Sequence, residues 1–106
     1  METEVQAPLD TGAQFNFISC KLVLLLKLNT YNIIDSMLFK NKHISSVTIC
    51  GAVANAKCIN ATTVAQIILK HANKSMPAYE AEFIVVGEFS ENLIIGHYAS
   101  RIFYVS

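Results

Sequence analysis

The sequence lacks several patterns that reveal a catalytic centre or a cofactor site. Its 106 residues contain no G-x-S-x-G nucleophile elbow and no G-x-x-x-x-G-K phosphate-binding loop. Its three histidines have no metal-ligand spacing, either among themselves or with the cysteines. The sequence therefore predicts neither a metal ion nor another cofactor.

Charge and long apolar runs are also scarce. Charged residues make up 15% of the chain, the net charge is zero, and the eight basic residues are scattered, so we expect no nucleic-acid partner. The longest apolar run, Leu22 to Leu26, is far shorter than the roughly 20 residues needed to cross a bilayer, so we expect no membrane partner. The acidic segment Met1 to Glu4 lacks the basic and apolar regions of a signal peptide, which predicts a cytoplasmic chain.

Cysteine is present three times, an odd number, and never with C-x-x-C spacing. This usage is typical of a reducing compartment. Cys20, Cys50 and Cys58 are therefore predicted to be thiols in the core.

The chain is nevertheless rich in apolar residues. They make up 53% of the sequence, and the mean hydropathy is +0.41, which is high for a single short domain that spans residues 1–106. Some of this apolar surface is expected to contact a second subunit.

One acidic residue stands at a glycine turn between apolar segments: Asp10, in the run Asp10-Thr11-Gly12-Ala13. Glycine permits a close backbone approach that a Cβ would block, and a threonine hydroxyl can bond to a neighbouring chain. This arrangement is compatible with a catalytic carboxylate, although Asp-Thr-Gly alone is also an ordinary turn sequence.

A second signature, Leu93-Ile94-Ile95-Gly96, stands near the other end of the chain. Together the two resemble the signatures of the retroviral-type aspartic proteases, the retropepsins and their relatives in long-terminal-repeat retrotransposons. Between them, Thr48 to Ile59 resembles the flap, the hairpin that closes over substrate in that family. The resemblance covers roughly residues 5 to 103.

The resemblance implies an all-β, barrel-like acid-protease fold with one or two short helices and one lobe per chain. It implies an aspartic endopeptidase that cleaves the polyprotein of a retroelement, in the cytoplasm or within a virus-like particle. Asp10 would be catalytic and would lie in an active-site turn with Thr11, Gly12 and Ala13. Substrate would be contacted by Ile94 and by the flap tip, Val53, Ala54, Asn55 and Ala56.

This chemistry needs two carboxylates about 3 Å apart that share one proton. The chain has only two aspartates, and Asp35 has no glycine turn beside it. Two copies of Asp10 must therefore meet across a two-fold axis, and the predicted enzyme is a homodimer.

Two alternatives remain open. Only nine residues precede Asp10, fewer than the family usually has, and this favours a degenerate protease-like domain that acts as a dimerising or peptide-binding module. The Asp-Thr-Gly sequence could also occur by chance in an unrelated α/β domain. The segment Ile94-Ile95-Gly96 by itself also fits a core strand that ends in a turn, and in a retropepsin-like fold it can be both a core strand and a wall of the substrate pocket.

Local patterns predict several elements. Ser19 is expected to cap a short helix from about Cys20 to Leu28, although an apolar run this short could equally be a buried strand. Residues 44–69 are rich in Val, Ile and Thr and predict two or three strands, with Ala54 to Ala56 as a hairpin tip. Alternation predicts a strand over residues 80–86, and an apolar run predicts a buried strand over residues 93–95.

Overall fold

A computed structural model describes residues 15–51, 57–70, 75, 77–87 and 93–96 of the chain. About half of the structure consists of strands, and the described part contains one α-helix, so the prediction of a strand-rich chain with a short helix is confirmed. Within these ranges the strands do not close into a barrel. No helix in the described part is long and apolar enough to span a membrane.

Among the described residues, five strands form one open sheet: β1 (Phe17–Ser19), β2 (Thr30–Asn32), β5 (Thr63–Leu69), β6 (Tyr79–Val86) and β7 (Leu93–Ile94). Their spatial order is β2-β5-β6-β1-β7. Strand β1 lies between β6, to which it is parallel, and β7, to which it is antiparallel. Antiparallel ladders join β5 to both β6 and β2.

The single α-helix, α1, spans Cys20–Leu26 and follows β1 directly. Ser19 is its N-cap, because the Ser19 Oγ accepts a hydrogen bond of 3.1 Å from the backbone N–H of Leu22. Lys27 ends the helix in the left-handed conformation at a φ of 52°. The predicted cap is confirmed, and the helix ends two residues earlier than expected.

A separate two-stranded hairpin consists of β3 (Val47–Gly51) and β4 (Lys57–Ala61). With β5 these strands make three across residues 44–69, where two or three were predicted. Its register places Ile49 opposite Ile59. Ile49 is buried and Ile59 is half-buried, so this cross-strand pair faces the core.

The sheet buries apolar side chains on both faces. Alternation along β1 sends Phe17 to one face and Ile18 to the other. The Ile18 face packs against α1 through Leu22 and Val23. The Phe17 face packs against the β3–β4 hairpin and two short 3-10 turns, and its buried members are Phe17, Ile33, Phe39, Ile49, Ala61, Val64, Ile84, Val86 and Ile94.

The predicted core thiols are wrong for all three cysteines. Cys50 and Cys58 form a disulfide across the β3–β4 hairpin, and Cys20 is an exposed free thiol at the start of α1. The two bonded cysteines are also exposed. The strand alternation that turns Ile49 and Ile59 inward turns their neighbours Cys50 and Cys58 outward.

Candidate functional site

The strand that follows the first signature lies beside the second signature in the sheet. Strand β1 begins seven residues after Asp10, and β7 contains the apolar part of the second signature. The register pairs Phe17 with Ile94 and Ile18 with Leu93. Two regions that are about 80 residues apart in sequence are thus hydrogen-bonded neighbours.

Asn16 joins these segments through its side chain. Its Oδ1 accepts a hydrogen bond of 2.8 Å from the backbone N–H of Gly96, the glycine of the second signature. Its Nδ2 donates to the backbone carbonyl of Glu82 on β6 at 3.3 Å, and its own carbonyl accepts from the N–H of Ile84 at 2.9 Å. One residue therefore ties the start of β1 to both neighbouring segments.

Gly96 is buried, and the Asn16 side chain supplies the hydrogen-bond acceptor that a buried N–H needs. No local sequence pattern predicts this bond, because an asparagine near a turn is ordinary and its partner is distant in sequence. Asn16 is the residue of this site that sequence reasoning missed.

Ile94 lies in β7 and is only 7% exposed. It belongs to the same core cluster as Phe17, its partner on β1, and Ile49 of the hairpin. The structure thus places Ile94 in the core on the face that the hairpin covers, and the expected contact of Ile94 with substrate stays a prediction.

The other predicted site residues lie outside the described residues. They are Asp10, Thr11, Gly12 and Ala13 of the active-site turn and Val53, Ala54, Asn55 and Ala56 of the flap tip. The strands that flank the predicted tip are present and are paired from Val47↔Ala61 to Gly51↔Lys57. Asp35, the second aspartate, is exposed and ends a one-turn 3-10 helix, Ile33–Asp35.

A second polar cluster, also absent from the sequence predictions, centres on Glu82 of β6. Its carboxylate accepts hydrogen bonds from the Tyr31 hydroxyl and from the backbone N–H groups of Met37 and Leu38, the latter two at 3.0 Å. Burial, then the hydrogen bond to Glu82 and its negative charge, raise the pKa of Tyr31 well above its usual value.

Glu82 therefore fixes the segment after the first 3-10 turn against the sheet. All three donors are more than 40 residues away in sequence, and no spacing rule connects them to Glu82. Among the described residues, no group of three or more histidine, cysteine, aspartate or glutamate side chains is arranged to hold a metal ion.

No family model, curated protein or solved structure matches this chain.

Proposed function

We propose that the chain is an aspartic endopeptidase whose active form is a homodimer, with Asp10 from each subunit in the catalytic centre. The observation that supports this most directly is the pairing of β1, the strand that follows the first signature, with the second signature. Phe17 pairs with Ile94, and Asn16 bonds to Gly96. This pairing places the strand after the Asp-Thr-Gly sequence beside the second signature, as the proposal requires.

The surroundings of β1 suit the positioning of a catalytic group. Phe17, Ile18 and Ser19 are all buried, and the strand is paired on both sides. A strand held by two neighbours and by the Asn16 side chain is suited to support a catalytic carboxylate in the predicted turn before it.

In the proposed mechanism the two Asp10 carboxylates share one proton. The ionised carboxylate takes a proton from a water molecule, which attacks the carbonyl carbon of the scissile peptide. The protonated one donates to the carbonyl oxygen. Because like charges this close cannot both ionise, activity is expected on the acid side of neutrality.

The proposed substrate is an extended peptide segment of a retroelement polyprotein. Such a segment can add main-chain hydrogen bonds to a hairpin edge, and apolar side chains can then enter neighbouring pockets. The finer proposal for the fold is therefore a retropepsin-like lobe that is completed by a second copy, with the β3–β4 hairpin as the flap.

The test compares Asp10→Asn with Asp35→Asn, a matched change of the only other aspartate. Purified variants are incubated with a mixture of apolar-junction peptides at pH values from acid to neutral, and products are identified by mass spectrometry. Asp10→Asn should lower the cleavage rate by about 10²–10⁴-fold or more because the proton-sharing pair is lost. Asp35→Asn should cleave like the parent chain.

Sedimentation velocity on the same samples distinguishes the alternatives. A dimer that cleaves and is silenced by Asp10→Asn supports the proposal. A dimer without cleavage identifies a degenerate protease-like module that dimerises or binds peptides. A stable monomer at micromolar concentration, or cleavage that survives Asp10→Asn, overturns the proposed active site.

A further inference from the structure

The disulfide between Cys50 and Cys58 lies across the β3–β4 hairpin at a pair of directly opposed residues. Their Cα atoms are 4.1 Å apart, and eight positions separate them in sequence. Both residues are exposed. The bond therefore lies on the solvent side of the hairpin.

The core side of the same hairpin has its own stabilising contacts. Ile49 and Ile59 precede and follow the disulfide by one residue along their strands, and both pack with the core cluster that contains Phe17 and Ile94. Five residue pairs form the β3–β4 ladder, from Val47↔Ala61 to Gly51↔Lys57. The ladder and the isoleucine contacts do not depend on the sulfur atoms.

The position of the disulfide on the solvent side of the hairpin has a chemical consequence. Attack on a disulfide requires that a thiolate reach one of its sulfur atoms, and an exposed bond permits this without unfolding. A disulfide within a core can be reached only when the core opens. The Cys50–Cys58 bond is of the exposed kind. Its neighbours in the ladder, Ile49 and Ile59, face the core, and the two cysteines face solvent.

We propose that Cys50–Cys58 is a reversible thiol-exchange site that dithiol reductants open in the folded protein. A thiolate of the dithiol attacks one sulfur, the Cys50–Cys58 bond breaks, and a mixed disulfide forms. The second thiol of the reductant then displaces the remaining cysteine. The cysteines together gain two electrons and two protons, and the dithiol becomes a disulfide.

The proposal does not depend on proteolytic activity. Reduction removes the covalent connection between β3 and β4 and leaves the ladder and the Ile49–Ile59 contacts in place. The hairpin should therefore open more often in the reduced protein, whereas the β5–β6 ladder, which contains no cysteine, should be unaffected.

The experiment uses the full chain carrying Cys20→Ser, which removes the exposed free thiol, in dithiothreitol without denaturant. Samples are alkylated with iodoacetamide and weighed by mass spectrometry, and circular dichroism monitors the fold. We expect no label before reduction, and two labels, on Cys50 and Cys58, after reduction, with an unchanged spectrum. Amide exchange should then become faster in β3 and β4 and stay constant in β5 and β6.

Three results would overturn the proposal. Labels before any reductant would show that the bond does not form in the protein. Labels that appear only with denaturant would show that the bond is protected by the fold. Labels that accompany loss of the circular dichroism signal would show that the bond is a structural requirement and not an exchange site.

Discussion

Replacement of Asn16 by alanine tests the hydrogen bonds that join the start of β1 to Gly96 and to β6. The change removes the acceptor for the N–H of Gly96 and the donor to the carbonyl of Glu82. A buried N–H without a partner costs about 1–3 kcal/mol. The bond to Glu82, at 3.3 Å, is longer and should contribute less, so we expect the free energy of unfolding to fall by about 2 kcal/mol.

This value converts into a shift of the melting temperature. Unfolding entropy is about 2.1 cal/mol/K per residue near 60 °C, which for 106 residues gives about 0.22 kcal/mol/K. A loss of about 2 kcal/mol then lowers Tm by about 9 °C. Differential scanning calorimetry at one fixed protein concentration measures the shift, because Tm of an associating protein depends on concentration.

Asn32→Ala provides the matched control. The Oδ1 of Asn32 also accepts one backbone hydrogen bond, from Ile34 at 3.1 Å, but this bond is exposed and water can replace it. We expect a loss of under about 1 kcal/mol. If Asn16→Ala lowers Tm no more than Asn32→Ala, or if exchange of the Gly96 amide is unchanged, the proposed role of Asn16 as a buried bridge is wrong.

Two further predictions concern the Glu82 cluster. Glu82→Gln should lower the free energy of unfolding, measured by urea titration, by about 1–2 kcal/mol, because a neutral amide offers one oxygen to three donors. The control Glu80→Gln, on the same strand, should lower it by under about 0.5 kcal/mol in the same titration. The raised pKa of Tyr31 should make the protein lose stability above about pH 10, where the unfolded tyrosine ionises and the folded one stays protonated. Below that pH the contribution is fully present, so Tyr31→Phe should flatten the alkaline fall of the urea midpoint. An equal alkaline fall of the urea midpoint in the parent chain and in Tyr31→Phe would show that Tyr31 is not the cause.

Local chemistry explains which elements could be predicted from the sequence. The helix after Ser19 depends on a cap and on apolar spacing within a few residues, and strand β6 depends on its alternating pattern. The sequence does not predict strand β2, because this strand has only three residues and both Thr30 and Asn32 are polar and exposed.

Features that depend on the register of distant segments could not be predicted. The Cys50–Cys58 bond is not one of them, because its two cysteines flank the predicted hairpin tip and lie only eight positions apart. Asn16 and Gly96 meet across 80 positions, and nothing in the local sequence of either one specifies the other.

The placement of β1 between a parallel and an antiparallel neighbour has a consequence for the order of folding. Its partners, Ile84 to Val86 of β6 and Leu93 to Ile94 of β7, are synthesised more than 60 residues later. The β3–β4 hairpin and the β5–β6 ladder join nearby segments and can close early, whereas β1 must wait until most of the chain is present.

Strand β1, and with it β7, which is at the edge of the described sheet and pairs with β1, should therefore be the last strands to gain protection, which pulse-labelled amide exchange during refolding would reveal. During synthesis on the ribosome, β1 would remain without its sheet partners until nearly the whole domain has emerged.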